Sequence, residues 1–83
     1  MAIKIHPHAK ERMQERGTTE EEITKTVEEG EQFPAKFNRT GFRRNFTFED
    51  IWRGKKYKTK QVEAYAVKEG QDFVVITVVV KYF

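Results

Sequence analysis

The segment from Asp72 to Phe83 constrains the fold more than any other stretch of this sequence. Side chains alternate between the two faces of a strand. One face would carry Val74, Ile76, Val78, Val80 and Tyr82, and the other Phe73, Val75, Thr77, Val79, Lys81 and Phe83. Both faces are mainly apolar, so the segment predicts a central strand of a sheet.

Two helices are predicted ahead of the main strands. Pro7 suits a first helical position and Gly17 a C-terminal cap, which gives a helix over residues 7–16. Thr19 and Glu22 form a capping box for a second helix that ends near Glu29. The apolar stripes of both helices are narrow, so together they can cover only one face of a sheet.

Strand patterns fill the rest of the chain. A short strand is expected within residues 2–5, and later strands within residues 32–37, 42–52, 57–67 and 72–83. We therefore predict an α+β domain over residues 1–83, in which a short N-terminal strand and two helices pack on one face of a three- to four-stranded antiparallel meander.

Composition narrows the class of protein further. The chain has 83 residues and no cysteine, which excludes disulfides and a cysteine zinc site. The N-terminus lacks the apolar region of a signal peptide, and no apolar run approaches the roughly 20 residues that span a bilayer. We expect a cytoplasmic protein that does not bind membranes.

Positive charge is concentrated in the middle third of the chain. Residues 31–60 hold nine Lys/Arg and three acidic residues, whereas the whole chain has a net charge of +3. Clustered cations attract polyanions, of which nucleic acid is the commonest in a cell. A solubilising surface is the alternative explanation.

Three polar side chains recur at every fourth residue near the N-terminus: His8, Arg12 and Arg16. On a helix this spacing places them along one stripe. His8 could act as a general base or acid in RNA cleavage, and the two guanidiniums could hold a phosphate. The alternative is a solvated helix face on which Glu11 and Glu15 pair with the arginines.

Neither a metal nor another cofactor is expected. His6 and His8 have no third ligand at a useful spacing, and His6 precedes Pro7, where it suits a helix cap.

A second group of cations lies in one predicted hairpin beside Trp52 and Tyr57. Its members are Arg53, Lys55, Lys56, Lys58 and Lys60. Basic residues next to exposed rings can bind RNA phosphates while the rings stack on bases. Alternatively, Trp52 belongs to the core and the lysines discourage edge-to-edge pairing of strands.

The stretch His8-Ala9-x-x-Arg12-Met13-x-x-Arg16-Gly17, with the closing run Val75-Ile76-Thr77-Val78, resembles a family of small bacterial and archaeal domains of unknown function. The layout of two helices and an antiparallel meander also resembles the RelE/ParE toxin fold. RelE-like toxins cut mRNA, usually on the ribosome, whereas ParE-like relatives act on gyrase.

The RelE resemblance implies basic residues and a tyrosine on the later strands of the sheet. Lys81 and Tyr82 fit as catalytic residues on the last strand, and Arg43, Arg44, Lys58 and Tyr65 have the right types on earlier strands. An antitoxin protein and ribosome-bound mRNA are the implied partners. The expected antitoxin would cover the basic face or add a strand to the sheet.

The resulting hypothesis is an RNA-binding toxin of a toxin–antitoxin pair that acts as a metal-independent endoribonuclease. His8, Arg12, Arg16, Lys81 and Tyr82 are the candidate catalytic residues. The candidate RNA-binding residues are Arg43, Arg53, Lys55, Lys56, Lys58 and Lys60. The alternatives are a non-catalytic domain that binds nucleic acid or protein, and a homodimer formed through the outer face of the sheet.

Overall fold

The computed structural model describes residues 2–83, so Met1, the first residue of the predicted domain, lies outside the described residues. One five-stranded sheet carries two helices. The elements in chain order are β1 (Ile3–Ile5), α1 (Pro7–Arg16), α2 (Glu20–Glu29), β2 (Glu31–Pro34), β3 (Thr40–Trp52), β4 (Lys55–Glu69) and β5 (Asp72–Tyr82).

The strand order corrects the predicted strand count. The sheet runs β1-β5-β4-β3-β2, so β2 to β5 form a four-stranded antiparallel meander. A fifth strand, β1, pairs in parallel with residues 73–75 of β5. The α+β class with two helices is confirmed. The short N-terminal strand was predicted, but its place in the sheet was not, because the pairing of β1 depends on residues far away in the sequence.

Both helices begin and end where their caps indicate. The His6 side chain accepts a hydrogen bond from the backbone N–H of His8, and Gly17 ends α1 with a left-handed φ of 78°. Thr19 and Glu22 form the capping box at the start of α2. Across residues 2–83, neither helix is long and apolar enough to cross a membrane.

The core lies between the helices and one face of the sheet. Helix α1 packs on β5, and α2 packs on β3 and β4. The fully buried side chains include Ile23, Val62, Val75 and Val78. Burial of each such side chain contributes roughly 1.5–3 kcal/mol.

A β-bulge in β5 changes the predicted division of that strand into faces. Tyr65 pairs with Thr77 while Ala66 pairs with Val75, so Ile76 is an extra residue. Val75 and Val78 are consequently both buried in the core, although simple alternation would place them on opposite faces. The helices therefore cover the even-numbered side chains of β5 after the bulge and the odd-numbered ones before it.

The hairpin of β3 and β4 reaches back to α1. Its turn is two residues long, with left-handed φ values at Arg53 (50°) and Gly54 (83°), which is the backbone that tight hairpins favour. A second irregularity, between Thr47 and Asp50, interrupts the pairing of the two strands. The tip thereby brings Trp52 and Arg53 against the end of α1.

Candidate nucleic-acid interface

The stripe of His8, Arg12 and Arg16 does not converge on one point. His8 is exposed near the start of α1. Arg12 forms an ion pair with Glu15 at 3.1 Å, and Arg16 donates a hydrogen bond to the backbone carbonyl of Val78 in β5. The stripe exists, but each arginine has a different partner.

Arg16 instead meets the hairpin tip in a cleft of about 290 Å³. The cleft lies between the end of α1, the tip of the β3–β4 hairpin and β5. Its lining residues are Glu15, Arg16, Trp52, Arg53, Val79, Val80 and Tyr82. Two of the candidate catalytic residues, Arg16 and Tyr82, therefore share one cleft with the candidate RNA-binding residue Arg53. His8 and Arg12 lie outside its lining.

Three successive carbonyls at the end of α1 accept hydrogen bonds from side chains of the sheet and of its β3–β4 hairpin turn. Arg53 donates to the carbonyl of Glu15 at 3.0 Å, and the Tyr82 hydroxyl donates to that of Arg16 at 2.7 Å. Lys60 donates to the carbonyl of Gly17 at 3.0 Å. The last carbonyls of a helix have no partner within the helix and carry its negative pole, so these donors fix the helix end.

Tyr82 is the centre of an aromatic cluster beneath the cleft. Its ring stacks on Trp52 with centroids 5.1 Å apart and packs against Phe48 and Tyr57 at 5.2 and 5.6 Å. Burial, aided by the charge of Glu22, raises the pKa of Tyr82 above its ordinary value, whereas Arg53 lowers it. The phenol stays protonated at neutral pH and remains a hydrogen-bond donor to α1.

Trp52 has little free surface on which a base could stack. Tyr82 stacks on the indole ring, and the Arg53 guanidinium carbon lies 5.2 Å from its centroid. The indole therefore positions Arg53 rather than offering an open platform.

The exposed cations of the hairpin add to the positive charge beside the cleft and, with Arg16, form a positively charged surface. We call this surface the basic edge, and it consists of Arg16, Arg53, Lys55, Lys56 and Lys58. Within residues 2–83, none of these side chains forms an ion pair with a carboxylate. Their charges are available to an anionic ligand.

Lys60 is the one predicted hairpin cation that the structure places in the interior. Its side chain is only 9% exposed, and its Nζ donates to Glu22 at 2.9 Å. The ammonium also lies 5.3 Å from the Phe48 ring centroid. The alternation of β4 turns Lys60 towards the helices, and it is not part of the basic edge.

Arg43 and Lys81 lie on the opposite, helix-free face of the sheet. Both approach Oε2 of Glu63, Arg43 at 3.5 Å and Lys81 at 3.7 Å, and Arg43 also binds Glu31 at 2.6 Å. The Tyr65 hydroxyl donates to Oε1 of Glu63 at 3.1 Å. Lys81 and Tyr82 are therefore separated by the sheet, and the five predicted catalytic residues do not form one group.

Comparison with protein families identifies the chain. A family model described as Domain of unknown function (DUF4258) matches residues 5–80. The chain belongs to this family. Comparison with curated proteins and with solved structures finds no match.

The DUF4258 domain shows how Arg44 differs from its predicted environment. From the sequence, Arg44 shares a strand side with aromatic residues, which predicts either a place near the strand edge or a buried cation paired with Asp50 or Glu63. In the structure its neighbour Arg43 binds Glu63. The Arg44 guanidinium lies over the Phe46 ring, 4.8 Å from its centroid. Arg43 and Glu63 pair directly across β3 and β4, a register that was not available from the sequence.

Sequence reasoning treated two carboxylates of this DUF4258 domain only as pairing partners of arginines. Glu15 lines the cleft, and Glu63 is 4% exposed on the sheet face that the helices leave open. Glu63 stands among apolar residues of β4, which was the available signal for an ion-paired position. In the described part of the chain, no three His, Cys, Asp or Glu residues are grouped so that they could hold a metal ion.

Proposed function

We propose that this DUF4258 domain binds single-stranded RNA along its basic edge. The observation that carries the proposal is the meeting of Arg16 and Arg53 in one cleft, continued by the exposed Lys55, Lys56 and Lys58. A groove of cations that follows a sugar-phosphate backbone is the usual basis of binding to single strands. The lack of carboxylate partners for these cations supports a polyanionic ligand.

The two arginines are suited to hold phosphates because each is already positioned by the protein. Arg53 is fixed by the Trp52 ring and the carbonyl of Glu15, and Arg16 by the carbonyl of Val78. A guanidinium that spends one N–H on the protein keeps others for a phosphate. Less side-chain entropy is then lost when RNA binds.

A charge reversal in the hairpin provides the test. Binding of a fluorescein-labelled oligouridylate is measured by polarisation across a salt series. We expect Lys55→Glu/Lys56→Glu to weaken binding by about tenfold or more and to lower the salt slope by about 1.4, because each phosphate contact to a single strand contributes about 0.7.

Lys68→Glu serves as the control for each single reversal, Lys55→Glu and Lys56→Glu, because it makes the same charge change at an exposed residue of β4 far from the hairpin tip. We expect it to reduce affinity only slightly. If Lys68→Glu weakens binding as much as either single reversal, Lys55→Glu or Lys56→Glu, attraction is non-specific and the proposed interface is wrong.

We further propose that the fold is RelE/ParE-like and that the RNA is cut without a metal. The order of two helices followed by an antiparallel meander supports the fold, although fold alone does not give activity. Glu15 is the candidate general base because it lines the cleft with Arg16 and Tyr82, and its carboxylate would have to leave Arg12 to act there. An antitoxin that covers the basic edge would be the partner of such an enzyme.

Incubation of total RNA with the purified chain tests the cleavage proposal. We expect discrete products with the wild type, and their loss with Glu15→Gln or His8→Ala would identify the proton-transfer group. Uncut RNA under conditions where polarisation shows binding would instead assign the domain to the non-catalytic class.

A further inference from the structure

An open hollow of about 670 Å³ lies on the face of the sheet opposite the helices. Its floor is formed by Phe33 of β2, Tyr65 of β4 and Thr77 of β5, and its wall by the loop between β2 and β3. The lining is mostly apolar, and the volume is within the range of small-ligand sites. We call it the open-face hollow.

The aromatic floor depends on a glycine. Gly41 pairs with both Phe33 and Tyr65 in neighbouring strands, and a Cβ at Gly41 would collide with the Phe33 ring. The missing side chain lets Phe33 lie flat on β3 and meet Tyr65 edge-to-face, with centroids 6.0 Å apart and planes at 83°. The Arg43 guanidinium carbon also lies 4.9 Å from the Phe33 centroid, so the floor beside Thr77 consists of two rings with Arg43 next to them.

The rim of the open-face hollow is cationic. Lys36 and Arg39 line it, and neither forms an ion pair with a carboxylate in residues 2 to 83. Arg39 lies 5.7 Å from the centroid of the Phe37 ring, which is 82% exposed. Two adjacent rings and two unpaired cations match a planar ligand that carries an anionic group.

The loop that carries these residues is held in an unfavourable backbone conformation. Phe37 and Asn38 are consecutive residues with left-handed φ values of 62° and 58°. Such φ values are uncommon for a bulky side chain and concentrate at ligand-binding segments. Here they keep an aromatic side chain in solvent at the mouth of an apolar hollow.

We propose that the open-face hollow binds one unpaired nucleobase of RNA against Phe33 and Tyr65, with the adjoining phosphate on Lys36 and Arg39. Bases stack on aromatic side chains, while cations hold the backbone phosphate. A purely apolar peptide would leave both cations without a counter-charge, which favours the nucleotide. This inference rests on the proposed RNA-binding function and adds to it a site on the other face of the sheet.

Calorimetric titration with AMP tests the hollow separately from the basic edge. We expect AMP to bind more tightly than adenosine or ribose 5-phosphate, because only AMP supplies both base and phosphate. Arg39→Glu is expected to weaken AMP binding at least about tenfold and Phe33→Leu several-fold. Lys68→Glu is the control of equal charge change and is expected to leave AMP binding as it is.

Several outcomes would overturn this inference. The first is that AMP titration produces no heat of binding. The second is that Lys55→Glu/Lys56→Glu abolishes AMP binding whereas Arg39→Glu does not. The third is that an Asp-Asp-Phe peptide binds more tightly than AMP. If oligouridylate binds at the basic edge but AMP does not bind, the hollow alone is wrong. If AMP binds but RNA does not, the assignment of the hollow to RNA is wrong together with the proposed function.

Discussion

Gly17→Ala is expected to lower the free energy of unfolding by about 2–5 kcal/mol. Gly17 has a φ of 78°, and a Cβ there would lie 2.6 Å from the Trp52 ring and 2.7 Å from the Tyr82 hydroxyl. The left-handed backbone costs an alanine about 1–2 kcal/mol, and overpacking adds about 1–3 kcal/mol. Urea denaturation followed by circular dichroism measures the loss.

Gly70→Ala is the matched control for this substitution. Gly70 also has a left-handed φ, 64°, but nothing lies within 4 Å of a Cβ placed there. We expect Gly70→Ala to lower the free energy of unfolding only by the cost of the left-handed backbone, about 1–2 kcal/mol. If both variants lose the same free energy of unfolding, the hairpin tip does not pack against the end of α1. The cleft between them would then not exist.

Lys60→Met is expected to destabilise the fold by about 3 kcal/mol. The ammonium of Lys60 binds the Glu22 carboxylate at 2.9 Å and the Gly17 carbonyl at 3.0 Å, with the Lys60 side chain 9% exposed. Removal of one partner leaves the other with an uncompensated charge, which typically costs about 3–5 kcal/mol in a buried pair. Part of Glu22 reaches solvent, so the lower end of that range applies.

A double-mutant cycle with Glu22→Gln identifies the ion pair as the cause. Glutamine keeps an oxygen for the hydrogen bonds that Glu22 accepts from Thr18 and Thr19 but carries no charge. We expect Lys60→Met to cost at least about 1 kcal/mol less in the Glu22→Gln background. If Lys60→Met costs the same stability in both backgrounds, the ion pair is not the cause. As a control, Lys58→Met alters an exposed neighbour and should change stability by less than about 0.5 kcal/mol.

Local signals in the sequence were sufficient for the helices and for most turns. Pro7, Gly17 and the Thr19–Glu22 capping box fixed the predicted helix bounds within a residue or so, because caps depend on a few neighbouring residues. The strands beyond Gly30 followed from alternation in the same way. Their ends shifted by a few residues, as in β4, which begins at Lys55 rather than at residue 57.

Features that depend on distant residues could not be predicted. The extra residue at Ile76 reverses the faces of β5, yet nothing near it in the sequence marks a bulge. The partners of Arg16 and Lys60 are separated from them by 62 and 43 residues in the chain. Local spacing therefore placed His8, Arg12 and Arg16 correctly on one helix face. It could not show that the two arginines turn to different partners, so that the three side chains do not meet at one point.

The structure separates two uses of positive charge in this chain. Lys60 and Arg43 are bound to carboxylates and hold elements together. The basic edge is different, because its arginines are fixed by carbonyls and an aromatic ring rather than by acidic side chains. In the part of the chain that the structure describes, no acidic side chain forms an ion pair with the cations of the basic edge, so their charge can attract an anion. This attraction is the physical basis of the RNA-binding proposal.

The most direct test of RNA binding at the basic edge is a map of amide chemical shifts in ¹⁵N-labelled protein titrated with oligouridylate. We expect the largest changes at residues 15–17 and 53–58, and we expect added salt to reverse them. Unchanged amides at the end of α1 and in the hairpin, at RNA concentrations that saturate binding, would contradict the account.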